Sequence, residues 1–249
     1  MSSLRDQVAL VTGSSRGIGA AIAKSFAQQG AKVVVHGRDG AALSSIRKEI
    51  ELAGGRSMQV SGDVTNFTDV EAARLRIEGE FGPVDILVAN AGGSLTPPGP
   101  LEDTSEEGWR ASVDGNLTAT FLTIKSFLPG MKERRRGSII TISSAAGRRP
   151  HPRSPIPYSV AKAGIELMSQ DVAAQAGPYG IRVNCIAPET ILTERNLERI
   201  PKEQLASLVD THPLKRLGAP EDVACAAVFL ASGEAGWITA SCWTLQAER

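Results

Sequence analysis

Tyr158 stands four residues before Lys162 in the stretch SPIPYSVAKAG, residues 154–164. Residues at i and i+4 share one helix face, which sets a phenol beside an ammonium. Pro155 and Pro157 suit the first turn of a helix but not its interior, so Tyr158 belongs at or near the helix start. Ser144 closes the earlier apolar run SIITISS. A hydroxyl, a phenol and an ammonium could therefore meet at one edge of a sheet, where they could exchange a proton with a bound oxygen. A Y-x-x-x-K pair alone is common on surface helices, so its surroundings must decide.

A second cluster lies near the start of the chain. VALVTGSSRGIGAAIAKSF, residues 8–26, reads as strand, glycine-rich turn and helix, with Ile18, Ile22 and Phe26 on one helical stripe. Gly13 can turn tightly after the strand. Gly17 lets backbone N–H groups approach a diphosphate, and Gly19 allows close helix–strand contact. The helix beginning near Gly17 offers an anion its unpaired N–H groups and positive dipole end. The spacing is G-x-x-x-G-x-G, not the commoner G-x-G-x-x-G.

The second strand ends VVVHGRDG. An acid expected there for the ribose hydroxyls of NAD is replaced by Gly37, and Arg38 follows. Arg38 can pair with a 2′-phosphate, and Arg16 supplies a second cation. The sequence thus favours NADP(H) over NAD(H), unless Asp39 bends back to the ribose.

These clusters need a scaffold. Short apolar runs at 8–11, 32–36, 57–64, 85–90, 138–143, 181–187 and 242–246 alternate with amphipathic stretches at about 40–53, 67–81, 105–133, 157–177 and 220–231. Continuously apolar strands imply burial on both faces. The expected fold is α/β, a Rossmann-like doubly wound parallel sheet of about seven strands with helices on both faces. No linker divides residues 1–249, which read as one domain. The stretches 92–100 and about 188–213 fit the rhythm poorly, and the second is expected to be the substrate loop on the carboxyl edge.

Composition narrows the partners. The apolar fraction is 42% and the charged fraction 22%, ordinary values for a globular protein. Twenty-seven basic and 27 acidic residues cancel, which argues against nucleic acid. No run suits a membrane span or a secretory signal. Cys185, Cys225 and Cys242 lack metal-like spacing and read as buried free thiols, so no metal and a cytoplasmic setting are expected.

TGSSRGIG, GDV, ANAG, the asparagine of DGNL, ITISS, YSVAK and IRVNCIAP occur in the order and spacing of the short-chain dehydrogenase/reductase family. From about residue 5 to 240 the chain resembles that family, most closely its 3-oxoacyl-[acyl-carrier-protein] reductase-like group. The resemblance implies an oxidoreductase with Tyr158 as general acid for carbonyl reduction and general base for alcohol oxidation. It implies that Lys162 bonds the nicotinamide ribose and lowers the pKa of Tyr158. Ser144, in preference to Ser143, would bond the substrate oxygen, and Asn116 would hold a water leading from Lys162 to solvent. Gly115 and Asn116 are poor helix formers, so a helix carrying them is expected to be distorted there. The cofactor set carried over is Gly13, Ser15, Arg16, Gly17, Ile18, Gly19, Arg38, Asp63, Val64, Asn90, Ala91, Gly92, Tyr158, Lys162, Ile191 and Thr193. For Asp63 a turn-capping role competes. A homotetramer, with a homodimer as the other option, is likewise an implication of the family.

Moving a tyrosine from ~10 to ~7 requires about 4 kcal/mol. A unit charge at about 4 Å in an effective dielectric of ~20 supplies roughly 4 kcal/mol, and burial opposes it. Reduction is the less demanding direction, because the phenol begins protonated. Two departures from the family pattern stand out: Glu189 replaces a glycine after Pro188, and the chain ends CWTLQAER. Glu189 must face solvent, pair with a cation or contact substrate. The basic run KERRR (132–136) reads as a solvated helix end, whereas GRRPHPR (147–153) lies toward the mouth of the site and could attract an anionic substrate or acidic carrier. His151, within that second run, reads as a loop histidine without a role. The resemblance implies a small carbonyl or alcohol substrate, free or carrier-bound: a ketone or 3-oxoacyl thioester to be reduced or, as the alternative, a secondary alcohol, sugar or steroid to be oxidised. A dinucleotide-binding sensor without chemistry would not need Ser144, Tyr158 and Lys162 together.

Overall fold

The computed structural model describes residues 3–150 and 154–245. Strands β1 (Val8–Thr12), β2 (Lys32–Gly37), β3 (Arg56–Ser61), β4 (Ile86–Ala89), β5 (Gly137–Ile142), β6 (Ile181–Pro188) and β7 (Cys242–Leu245) form one sheet. Their order is β3-β2-β1-β4-β5-β6-β7, and all neighbours run parallel. The order reverses between β1 and β4, which opens a crevice at their carboxyl ends.

Helices α1 (Gly17–Gln28), α2 (Gly40–Leu52) and α9 (Pro220–Ala231) cover one face, where Ile22, Phe26, Leu43 and Leu230 pack on Val33, Val35 and Ile140. Helices α3 (Phe67–Glu80), α5 (Ala119–Arg134) and α6 (Ile156–Ala176) cover the other, with Ile77, Phe127, Met131 and Ala173 on Leu10, Val34 and Ile139. Burial of each large side chain removes about 1.5–3 kcal/mol worth of apolar surface from water. The continuously apolar strands are explained by these two layers.

Several local expectations need correction. The run 57–64 is strand only to Ser61; Gly62, Asp63 and Val64 form the following turn. Thr65 donates to Asp63 Oδ1 from both its N–H (2.9 Å) and its hydroxyl (2.8 Å), which diverts the chain from the sheet. The stretch 105–133 is α4 (Glu106–Val113), a π-helical segment at Asp114–Thr118 and then α5. The distortion coincides with Gly115 and Asn116. Residues 188–213 are not irregular throughout: α7 (Glu194–Arg199) starts at a Thr193 cap, and α8 (Lys202–Thr211) follows Pro201.

Cys185 is buried, but Cys242 is only partly covered and Cys225 is exposed. Helix α9 turns Val223, Ala224, Ala227 and Leu230 to the core, leaving Cys225 on its outer side. The KERRR run is also not simply solvated. Arg134 donates to Val84 O at 2.8 Å, and Arg136 pairs with the buried carboxylate of Asp85 at 2.6 Å. His151 lies outside the described residues, as do Arg153 and Gln246. Among the described residues, no helix is long and apolar enough to cross a membrane.

Candidate active site

The glycine turn joins β1 to α1 at the crevice. Gly13 has φ +64°, and a Cβ there would stand 2.8 Å from Ala91 Cα. A Cβ on Gly19 would stand 2.5 Å from Asn90 Nδ2. Asn90 itself donates to Thr12 O (2.9 Å) and Gly13 O (3.1 Å), clamping β4 to the turn. Ala91 N–H donates to Thr12 Oγ1 at 3.1 Å. Arg16 is the extended residue before α1, and the first turn of that helix carries no acid. A backbone cradle without Cβ atoms, facing a helix start, fits a diphosphate. Ile18 packs partly against the core, and Ser15 faces the end of β2, where its Oγ lies 3.8 Å from a Cβ position on Gly37.

At that end, Arg38 is exposed and lies 3.9 Å from Asp63. Asp39 caps α2 by accepting from Ala42 N–H at 3.0 Å, which commits it away from a ribose contact. Asp63 is held by Thr65, so its turn role is real whether or not it also meets a nucleotide. Its carboxyl is kept below the usual range first by the Thr65 backbone bond, with Arg38 and His36 adding to the effect. Val64 packs against the core beside β3.

Ser144, Tyr158 and Lys162 sit farther along the same edge. Pro155 precedes α6 and Pro157 occupies its first turn, so Tyr158 lies near the helix start. Ser144 ends the segment after β5; its Oγ accepts from Ala146 N–H at 3.2 Å, and its hydroxyl is close enough to the Tyr158 phenol to favour the phenolate. Ser143 points elsewhere, donating to Lys162 O and Glu166 Oε1, each at 2.9 Å. Burial raises the Tyr158 pKa, while the Ser144 hydroxyl and the Arg195 charge oppose that rise. Lys162 is buried, donates to Ile142 O at 2.8 Å and lies 5.6 Å from the Tyr158 ring centroid. Burial lowers its pKa to about 8.

Asn116 belongs to the π-helical segment. Its Oδ1 accepts from Gly93 N–H at 2.9 Å, and its Nδ2 donates to Gly93 O (3.0 Å) and Ser112 O (2.8 Å). The side chain is therefore spent on the loop after β4, and a water between Asn116 and Lys162 would have to use its main-chain carbonyl. Gly92, at φ +145°, approaches Asn116 Oδ1 within 2.5 Å of a Cβ position.

Of the two residues carried over from the later segment, Thr193 reaches the cradle: its Cγ2 is 3.2 Å from a Cβ position on Gly17. Ile191 does not offer its side chain, which is 4% exposed and packed in the core. Any cofactor contact from Ile191 must come from its backbone. Glu189 pairs with Arg149 at 3.3 Å, with its side chain only 7% exposed. Arg195 was not singled out by the sequence. Its sole advance signal was a basic side chain two residues beyond Thr193.

The crevice, the glycine cradle and the Ser144–Tyr158–Lys162 cluster together form the candidate site. A family profile described as Enoyl-(Acyl carrier protein) reductase matches residues 13–246. The chain is 37% identical over 238 residues to glucose 1-dehydrogenase 2 of Bacillus subtilis, covering 95% of this chain and 92% of that protein. It is also 37% identical over 236 residues to 3-oxoacyl-[acyl-carrier-protein] reductase of Vibrio cholerae, covering 95% and 94%. Among solved structures, a 3-oxoacyl-[acyl-carrier protein] reductase with bound NAD from Brucella melitensis superposes with TM-score 0.90 at 35% identity, covering 98% of this chain and 90% of that one. A 7α-hydroxysteroid dehydrogenase complexed with NADH and 7-oxo glycochenodeoxycholic acid gives TM-score 0.93 at 33% identity, covering 98% and 94%. The chain belongs to the short-chain dehydrogenase/reductase family and is an oxidoreductase acting on CH–OH and C=O groups.

Proposed function

We propose that the protein is an NADP(H)-dependent reductase of a ketone or 3-oxoacyl thioester. The observation that carries this reading is the placing of Ser144, Tyr158 and Lys162 at one carboxyl edge of the sheet, with Lys162 Nζ 5.6 Å from the Tyr158 ring centroid, beside the glycine cradle. The nicotinamide, when bound, supplies the hydride. Ser144 holds the carbonyl oxygen, and the Tyr158 phenol gives that oxygen its proton as the carbon is reduced. Burial keeps the phenol protonated, which suits reduction. Lys162, with a pKa near 8, holds a mobile proton behind Tyr158.

Gly13, Ser15, Arg16, Gly17, Ile18, Gly19, Asn90, Ala91, Gly92 and Thr193 would hold the dinucleotide, with Asp63 and Val64 at its adenine end. NADP(H) is favoured because exposed Arg38 follows Gly37 while Asp39 is committed to its helix cap. The relatives named as glucose and steroid dehydrogenases support a second reading, oxidation of a secondary alcohol by the same groups in reverse. A homo-oligomer is supported by exposed Trp109, Phe121, Val160 and Leu167 on neighbouring helices α4, α5 and α6. A panel of ketones and 3-oxoacyl thioesters, each assayed with NADPH and NADH, tests the proposal. Turnover with NADPH supports it; turnover of alcohols alone, with NAD, replaces it by the second reading.

A further inference from the structure

Tyr158 and Lys162 are carried by α6, whereas Ser144 lies in the connection after β5. The serine hydroxyl meets the phenol only if that connection is seated on the helix. A Cβ on Gly147 would stand 2.8 Å from the Ala163 nitrogen and 2.8 Å from the Lys162 carbonyl carbon. The turn 145–147 therefore rests directly on the α6 backbone beside Lys162.

Glu166 stands one helical turn beyond Lys162 and grips the connection on both sides of Ser144. Its Oε1 accepts from the Ser143 hydroxyl at 2.9 Å, and its Oε2 pairs with Arg148 Nε at 3.4 Å. The Ser143 hydroxyl is also 2.9 Å from Lys162 O, so the clasp reaches the main chain of the lysine. Arg148 continues to the Thr244 hydroxyl in β7. The Glu166 side chain is only 14% exposed. A carboxylate so covered is costly to keep unless its partners are in place, and an apolar side chain would fill the same space without that cost. What the carboxylate adds is a fixed geometry between the helix and the two residues 143 and 148.

We propose that Glu166 is a positioning residue: by clasping Ser143 and Arg148 it sets the Ser144 hydroxyl against the Tyr158 phenol. This rests on the reading above, in which Ser144 holds the substrate oxygen. Glu166 touches neither substrate nor cofactor and acts through Ser144.

The first test needs no turnover. Ala146 N–H donates to Ser144 Oγ at 3.2 Å, and Gly147 N–H donates to Ser144 O at 2.9 Å. Hydrogen exchange followed by mass spectrometry should show the segment 143–148 exchanging about tenfold faster or more in Glu166→Ala, with β5 and α3 unchanged. Glu166→Gln, whose amide oxygen still accepts from Ser143, should fall between, and it carries the comparison if Glu166→Ala does not fold. Unchanged exchange in 143–148, or equal acceleration along the whole chain, overturns the proposal. The second test measures reduction of ethyl acetoacetate by NADPH. In Glu166→Ala, kcat should fall about 10- to 100-fold while the KM for NADPH stays within about twofold. In a Ser144→Ala background the same substitution should lower the residual rate no further. Losses that add in the double variant overturn the proposal. If the wild type reduces no ketone, the reductase reading fails, and the exchange comparison still decides whether Glu166 holds Ser144.

Discussion

At the amino edge of the sheet, Asp85 accepts from Val8 N–H at 3.0 Å and pairs with Arg136 at 2.6 Å. Arg182 spends its guanidinium on carbonyls, with Leu230 O at 2.7 Å and Ser232 O at 3.1 Å. In the polar groove there, lined by Asp85, Arg136 and Arg182, these charged groups are hydrogen-bonded within the chain. The carboxyl edge is built differently. Lys162 is buried against one carbonyl with its pKa lowered to about 8, Tyr158 is shifted upward, and His36 is buried with Nδ1 lacking a partner among the described residues. Asp and Arg side chains close the sheet at one end, whereas Lys, Tyr and His stand with displaced acidities around the crevice at the other. Displaced acidity marks a candidate site only when it is arranged around a crevice.

The largest expected effect breaks the carboxyl edge itself. Gly19→Ala puts a Cβ 2.5 Å from Asn90 Nδ2, so dinucleotide affinity should fall about 100-fold or more, measured by fluorescence titration. Affinity within a factor of a few of wild type would show that the cradle is looser than its geometry.

His36 sharpens the contrast through pH. Burial lowers its pKa from 6.5 to about 4, against the pull of Asp63 and Asp69. A folded-state value below the unfolded one contributes stability that is complete above pH 6.5 and is lost as pH falls toward 4. That shift corresponds to about 3 kcal/mol. Between pH 7 and 4, His36→Gln should lose about 3 kcal/mol less stability than wild type in urea unfolding. Equal losses would mean that water reaches the imidazole.

At the opposite edge, Asp85→Ala strands Val8 N–H and Arg136. It should cost about 2 kcal/mol in unfolding free energy while the kcat of the remaining folded protein holds. A fall in kcat without loss of stability would dissolve the distinction between the edges. Arg38→Ala has the smallest expected effect, weakening NADPH binding about tenfold and leaving NADH nearly unchanged. Equal losses for both would remove Arg38 from the phosphate site.

The sequence made local features legible. Glycines at 13, 17 and 19 and the prolines before Tyr158 act through the backbone within one or two turns, so their consequences could be read directly. The apolar strands likewise announced a sheet buried on both faces. Long-range pairings were harder: Asn116 with Gly93, Glu189 with Arg149, and Arg195 with Ser94 join segments that pattern alone does not bring together. Arg195 depends on Thr193 capping a helix in a stretch that reads as irregular. Cys225 looked buried because its neighbours are apolar, but the outer side of α9 was not evident without the partners of that helix.

The central claim is that the Tyr158 hydroxyl delivers the proton during carbonyl reduction. Turnover and NADPH binding measured together in Tyr158→Phe test it most directly. Binding should stay within a few-fold of wild type while kcat falls by roughly two to four orders of magnitude. A variant that reduces the same ketone at near wild-type rate would contradict the assignment.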